Sequence, residues 1–274
     1  HLRARTEVRG DQGAVSKMLL AIDVGNTNME FGVYDGDRLL GSFRMMTKNN
    51  ATSDEIGLLA CQYFERFGID RTAIEAVMVA SVVPQVMYTL SAAMAKYLGL
   101  TPIVVDVDIP SGLSYGPLVT DERLGADRAV ACVAAMKKYG RPLIVLDFGT
   151  ATTVDAVSAD GVYMGGCISA GLRVTMDALA SNAAMLPNVE LNKPEKVLNF
   201  TAVGHIQAGV VGGYVGAMEY LIRQAKQELG CPDVKVVATG GLARLITKHT
   251  DLIDIVDGEL ILDGLRMIWE DSRK

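Results

Sequence analysis

Residues 19–35 read LLAIDVGNTNMEFGVYD, and residues 143–158 read LIVLDFGTATTVDAVS. Each is an apolar run, then Asp-x-Gly with Asn or Thr following, then a second run of alternating character. Read locally, each is two strands joined by a polar turn. The same hairpin, once in each half of a 274-residue chain, predicts a duplicated domain and sets the fold class as α/β, built of two α+β halves.

The segments around the hairpins fit that reading. In the first half a third strand is expected over 38–46, a helix over 53–67, a β-rich run over 76–82, a proline-opened helix over 84–98 and a strand over 102–107. The second half repeats the order: a strand over 162–169, a helix over 172–184, a long helical stretch over 201–229, a strand over 234–239, a short helix after Gly241 and a last helix over 259–269. Meander strands first and αβ units after, twice, is a duplicate rather than a Rossmann sheet. The expected division is 1–17 as an expression-tag remnant or disordered extension, then domains over 18–140 and 141–274. Residues 1–17 are polar and precede Met18, where the strong patterning starts.

With 50% hydrophobic residues the chain has material for two cores. A formal charge of −6 argues against a nucleic-acid or anionic-membrane partner, both of which reward a basic face. An anionic ligand would need a local cluster, backbone N–H groups or a metal ion. Cys61, Cys132, Cys167 and Cys231 form no CxxC pair, and three histidines are too scattered for a metal cluster. With no signal peptide and no transmembrane run read in the sequence, a reducing cytoplasm is the expected compartment.

The two turns carry the chemistry. Gly25 and Gly149 let the backbone turn tightly beside a ligand. The turn N–H groups, with the side chains of Asn26, Thr27, Thr150 and Thr152, can donate to phosphate oxygens. Asp23 and Asp147, at their strand ends, are placed to hold Mg²⁺ or its waters. A lone turn of this kind more often makes only a local Asx-type hydrogen bond; its recurrence in each half favours two turns gripping a polyphosphate across a cleft. The strand ending in Gly240 and Gly241 (VVATGG, 236–241) admits a flat ring such as adenosine, although Gly-Gly turns without ligands are frequent. No Walker P-loop and no strand-linked GxGxxG is present. Gly209, Gly212, Gly213 and Gly216 share one helix face, a pattern of close helix packing, and Glu219 with the short apolar length excludes a membrane span there.

A second cluster, DERLGADRAVACVAAMKKYG over 121–140, puts Asp127 and Arg128 at a helix entry. The carboxylate can take a proton from an attacking hydroxyl, and the guanidinium can bind a substrate carboxylate in bidentate fashion. On spacing alone, a dipole-stabilised Asp beside a solvated Arg is the commoner arrangement, because Asp near a helix start is routine.

Taken in order, DVGNTN (23–28), YGP (115–117), GADR (125–128), DFGTATT (147–153) and ATGG (238–241) resemble type III pantothenate kinases over roughly residues 18–270. The resemblance implies duplicated actin-like, ribonuclease H-like domains with a nucleotide cleft between them. It further implies a homodimer, Mg²⁺-ATP, a monovalent cation (K⁺ or NH₄⁺) and phosphorylation of pantothenate, the first step of coenzyme A biosynthesis. It makes Asp23, Val24, Gly25, Asn26, Thr27, Asn28, Met29 and Glu30 the first phosphate loop, Asp127 the catalytic base, and Tyr115, Gly125, Ala126 and Arg128 the pantothenate site. Asp147 would hold the monovalent cation, Thr150 would bind phosphate, and Thr201 would be a substrate contact given to the partner subunit. The chain departs from the family pattern at Ala170, where a proline is common before Gly171, and in the LNF before Thr201. Another actin-like small-molecule kinase, or a nucleotide-binding regulatory relative without turnover, shares the hairpins.

Overall fold

The computed structural model describes residues 17–105, 112–116, 124–183 and 185–274. The extension up to residue 16, the end of the expected strand 102–107, Pro117 and residues 121–123 and 184 of the expected elements lie outside these.

Two mixed sheets organise the molecule. In the first, β1 (Met18–Val24), β2 (Asn28–Asp35) and β3 (Arg38–Met46) form an antiparallel meander, and β4 (Ile74–Ser81) and the two-residue β5 (Ile103–Val104) add in parallel beside β1, in the order β3-β2-β1-β4-β5. The second has a two-residue edge strand β6 (Ser114–Tyr115), the meander β7 (Leu143–Phe148), β8 (Ala151–Val157) and β9 (Val162–Ala170), and the parallel strands β10 (Lys235–Thr239) and β11 (Ile255–Val256). Its order is β11-β10-β7-β8-β9-β6. Set β7 on β1 and the two sheets match strand for strand, with β6 added outside β9. The repeated hairpin is therefore the seed of a repeated sheet.

Helices cover both faces. On the outer face of the first sheet lie α1 (Ser53–Arg66), started by a Thr52–Glu55 capping box, and α2 (Pro84–Leu98), opened by Pro84 and closed by Gly99. The outer face of the second sheet carries α4 (Leu172–Asn182), α5 (Ala202–Gln207), α6 (Gly213–Glu228) and α7 (Ala243–Thr247). Between the sheets run α3 (Ala126–Tyr139) and α8 (Leu260–Asp271), in contact at Gly264, whose missing side chain leaves room for Val130 and Ala134. The central core is shared: Leu19, Ala21 and Met78 from the first sheet meet Val130–Met136 of α3, Leu143 and Val145 of the second sheet, and Leu262 and Leu265 of α8. No described helix is long and apolar enough to cross a membrane.

One difference from the sequence reading stands out, and one open choice narrows. The stretch expected as one helix over 201–229 is α5 and α6 joined by a π-helical turn at Ala208–Gly212. Within it, Gly209, Gly213 and Gly216 are exposed, and a Cβ at any of the four stripe glycines would meet nothing within 4 Å. Close packing against a helix of the same chain is not what the stripe serves.

Candidate active site

The hairpin turns of the two sheets face each other. Register continues to Val24↔Met29 in the first and Phe148↔Thr152 in the second. The connecting residues are then 25–28 in one and 149–151 in the other, so the second turn is one residue shorter. Both are closed by the glycine N–H, Gly25 to the Asn28 carbonyl at 3.0 Å and Gly149 to the Ala151 carbonyl at 3.1 Å. Across the gap the Thr27 and Thr150 hydroxyls are 2.5 Å apart. The two expected phosphate-binding hydroxyls thus converge on one point.

Beneath them is a cavity of about 440 Å³ lined by Asp23, Gly25, Asn26, Thr27, Asn28 and Glu30 from the first half and Asp147, Gly149, Thr150, Gly240 and Gly241 from the second, with Asp127 entering from α3. The period of two along a strand selects these side chains. It also turns Val24 and Met29 of the same segment into the core, where both are fully buried, so their side chains cannot contact a cleft ligand. Thr152 is a second correction. The shorter turn puts it on the opposite face of β8, buried and hydrogen-bonded to the Tyr214 hydroxyl of α6. Thr153 takes the cleft position instead.

Gly240 sits at the end of β10 with φ +89°, and a Cβ there would lie 2.3 Å from Asp147 Oδ1. This turn has to be glycine to close on the Asp147 carboxylate. On the other side of that hairpin, the Gly171 N–H donates to the Thr150 carbonyl at 3.0 Å, tying the start of α4 to the turn.

The electrostatics are acidic. Burial pushes the Asp23 carboxyl well above the usual range, helped by the charges of Asp127, Asp147 and Glu30 and opposed by Arg44. Burial, with the Asp127, Asp155 and Glu30 charges, raises Asp147 to about 7. Asp127 is also raised by burial, with the Arg128 backbone N–H and guanidinium opposing. Among the described residues, the cationic side chains lining the cavity are Arg44, which pairs with Glu30 at 2.8 Å, and Arg173. Neither was picked out by sequence reasoning, since one lies mid-strand and the other after a glycine, with no motif around them. Buried carboxylates beside hydroxyls and carbonyls fit a hard oxygen-seeking cation. Among the described residues, no three His, Cys, Asp or Glu side chains are grouped to hold an ion by themselves. A cation here would complete its shell with phosphate oxygens or water.

Asp127 lies in the first turn of α3, which Gly125 caps; its Oδ1 accepts from the Arg128 N–H at 2.8 Å. The Arg128 guanidinium corrects another expectation. Its Nε and Nη2 are already engaged by both oxygens of Asp155, so the side-on edge is not open for a bidentate substrate contact. Tyr115 packs edge-on against Tyr163 at 6.3 Å, beside this pair rather than in the cavity. Ala126 and Arg128 likewise lie outside the cavity lining. Thr201 is exposed and caps α5 by accepting from the Gly204 N–H at 3.1 Å, away from the cleft within its own chain.

Two matching sheets that present paired hairpin turns to one acidic cleft define a phosphotransferase of the actin-like class. The chain belongs to the type III pantothenate kinase family, whose model matches residues 19–224. It is 42% identical over 257 residues to the type III pantothenate kinase of Agathobacter rectalis, covering 94% of this chain and 98% of that one. Among solved structures it resembles a conserved candidate transcriptional activator of the Baf family from Campylobacter jejuni, at TM-score 0.59 and 19% identity, covering 93% of this chain and 98% of that one. It also resembles the activator of 2-hydroxyisocaproyl-CoA dehydratase from Clostridium difficile with bound ADPNP, at TM-score 0.53 and 13% identity, covering 93% and 97%. These two likenesses bear on the fold alone.

Proposed function

We propose that the cleft transfers the γ-phosphoryl group of ATP to the primary hydroxyl of pantothenate, giving 4′-phosphopantothenate and ADP, the entry to coenzyme A biosynthesis. The observation that carries this reading is the meeting of Thr27 and Thr150 above a cavity that also holds Asp127. Catalysis of phosphoryl transfer is mostly positioning and charge stabilisation. With no P-loop lysine, phosphate oxygens are held by the turn N–H groups of residues 25–28 and 149–151 and by the two threonine hydroxyls. Asp127 accepts the hydroxyl proton as the new O–P bond forms and ADP leaves. Its pKa, raised by burial, makes it a better base than an exposed aspartate. Gly240 and Gly241 border the adenosine. Asp23, through water, and Asp147 are the groups that would hold Mg²⁺ and a monovalent cation, K⁺ or NH₄⁺. Bound there, the ions neutralise phosphate charge.

The division into halves at 18–140 and 141–274 is part of this reading, supported by the matching strand orders, with β6 of the first half joined to the edge of the second sheet. So is a homodimer built around α5 and α6. The stripe of Gly209, Gly213 and Gly216 lies exposed near Phe200, Val203 and Tyr220, three exposed apolar side chains that a second copy would cover. A two-fold arrangement brings Thr201 of the partner to the Tyr115–Gly125–Arg128 side of Asp127.

The test is ADP release with ATP and a panel of hydroxylated acids. Pantothenate should be the acceptor that supports turnover, and Asp127→Asn should lower kcat by about 10²–10⁴-fold with an unchanged circular dichroism spectrum. Wild-type turnover in that variant would remove Asp127 as the base. For the dimer, Asp127→Asn mixed with Thr201→Trp should recover activity after subunit exchange, because one site of each mixed dimer then carries neither lesion. No recovery despite proven exchange would place each pocket within one chain.

A further inference from the structure

Asp155 takes no part in the chemistry above, yet its carboxylate is almost completely buried, at 1% exposure, and faces Arg128. The pair is tightly built. Arg128 Nε lies 3.1 Å from each Asp155 oxygen, and Nη2 lies 2.6 Å from Oδ1. The second Nη2 proton goes to the Tyr163 hydroxyl at 3.1 Å, and that hydroxyl donates to Asp155 Oδ1 at 2.8 Å. Gly166 of β9 closes the enclosure, since a Cβ there would come within 2.6 Å of Asp155 Oδ1 and 2.8 Å of Arg128 Nη2. Nη1 alone makes no hydrogen bond among the described residues.

We propose that Asp155 is a positioning residue for acceptor recognition: with Tyr163 it locks the Arg128 guanidinium so that only Nη1 is offered to the carboxylate of the acceptor. The inference rests on the reading of Arg128 as the pantothenate carboxylate contact. Stability alone does not account for the pair, because apolar side chains of similar volume would fill the same space at no greater cost. Orientation does. A free arginine at a helix start samples many rotamers, whereas one fixed on three sides meets a ligand with that entropy already spent. A single presented nitrogen also rewards a negatively charged acceptor over a neutral one of the same shape, because a hydrogen bond between two charged groups is about twice as strong as a neutral one.

The experiment compares two ligands on the intact enzyme: pantothenate as substrate, and its neutral alcohol analogue, with a hydroxymethyl in place of the carboxylate, as a competing ligand. Asp155→Asn should raise the pantothenate KM about tenfold or more, leave kcat within about threefold, and leave the inhibition constant of the neutral analogue within about twofold. Tyr163→Phe, a milder change that keeps the fold, should move the same ratio in the same direction by about threefold. If both constants rise together in a folded variant, the pair is only structural and the inference falls. It falls alone if Arg128→Gln changes the ratio of the two constants while neither Asp155→Asn nor Tyr163→Phe does. If Arg128→Gln itself leaves the ratio unchanged, the assignment of Arg128 to the acceptor carboxylate fails, and this inference with it.

Discussion

Replacing Gly171 by alanine isolates a steric load on the second hairpin turn. The backbone there has φ −65° and ψ 156°, which alanine adopts without strain. The new Cβ would lie 2.4 Å from the Gly149 carbonyl oxygen and 2.5 Å from that of Thr150, where ordinary contact begins at 3.4 Å. Main-chain atoms of the turn must therefore retreat by about 1 Å, straining the hydrogen bond between the Gly171 N–H and the Thr150 carbonyl. Overpacking of this kind costs about 1–3 kcal/mol, and the weakened hydrogen bond adds about 1 kcal/mol. Loss of glycine entropy in the unfolded chain returns about 0.4–1 kcal/mol. A net destabilisation of about 1–3 kcal/mol should lower Tm by roughly 2–10 °C. Displacing the Thr150 hydroxyl by about 1 Å should also cut kcat/KM for ATP by about 10–100-fold. Thermal unfolding and initial rates at varied ATP, with pantothenate saturating, read both. Unchanged Tm and unchanged ATP kinetics would refute the steric argument, and a lower Tm with unchanged ATP kinetics would show that the turn does not hold phosphate.

Two further outcomes follow from the site. Asp147, raised to about 7 by burial and its acidic neighbours, binds a proton more tightly folded than unfolded. Between its ordinary pKa of about 4 and about 7, the folded state holds the extra proton, so Asp147 costs stability progressively as pH rises through that window. Asp147→Asn, melted without nucleotide or added potassium, should accordingly be more stable than wild type at pH 8 by up to a few kcal/mol, with the difference gone near pH 4; a variant no more stable at pH 8 would contradict this. Thr152→Val removes the side-chain partner of the buried Tyr214 hydroxyl, which keeps the Leu172 backbone, and should cost about 1 kcal/mol in urea unfolding. The ATP KM should not change, and a raised one would return Thr152 to the phosphate site.

The fold was legible because its seed is local: an Asp-x-Gly turn between two apolar runs carries its own geometry, and finding it twice gives the duplication. The cleft-facing residues of the two turns came from the same signal. What failed came from register and distance. Pairing the two turns by sequence sets Thr152 against Asn28, yet the second loop closes one residue earlier, and in a strand one residue is the difference between cleft and core. Arg128 was visible as a charge at a helix entry, but its engagement by Asp155 depends on β8 and β9 folding over it. The glycine stripe was legible as a helix face, but its neighbour was not, since periodicity identifies a face without saying what covers it. Helix α8 carries a strong amphipathic pattern, and nothing in that pattern says that it packs against β1 and β4 on the far side of the chain.

That last packing bears on synthesis. A duplicated protein is expected to fold its first copy while the second is still being made, since domains generally fold from the N-terminal side during translation. Here the inner face of the first sheet, with Leu19, Ala21 and Met78, is covered by α3 and α8 together. On the ribosome those strands wait, half-clad, until Leu262 and Leu265 have been translated. For that interval the nascent chain presents an apolar sheet surface of the kind that draws chaperones or neighbouring chains. Two copies of one architecture are thus made in sequence but finished together.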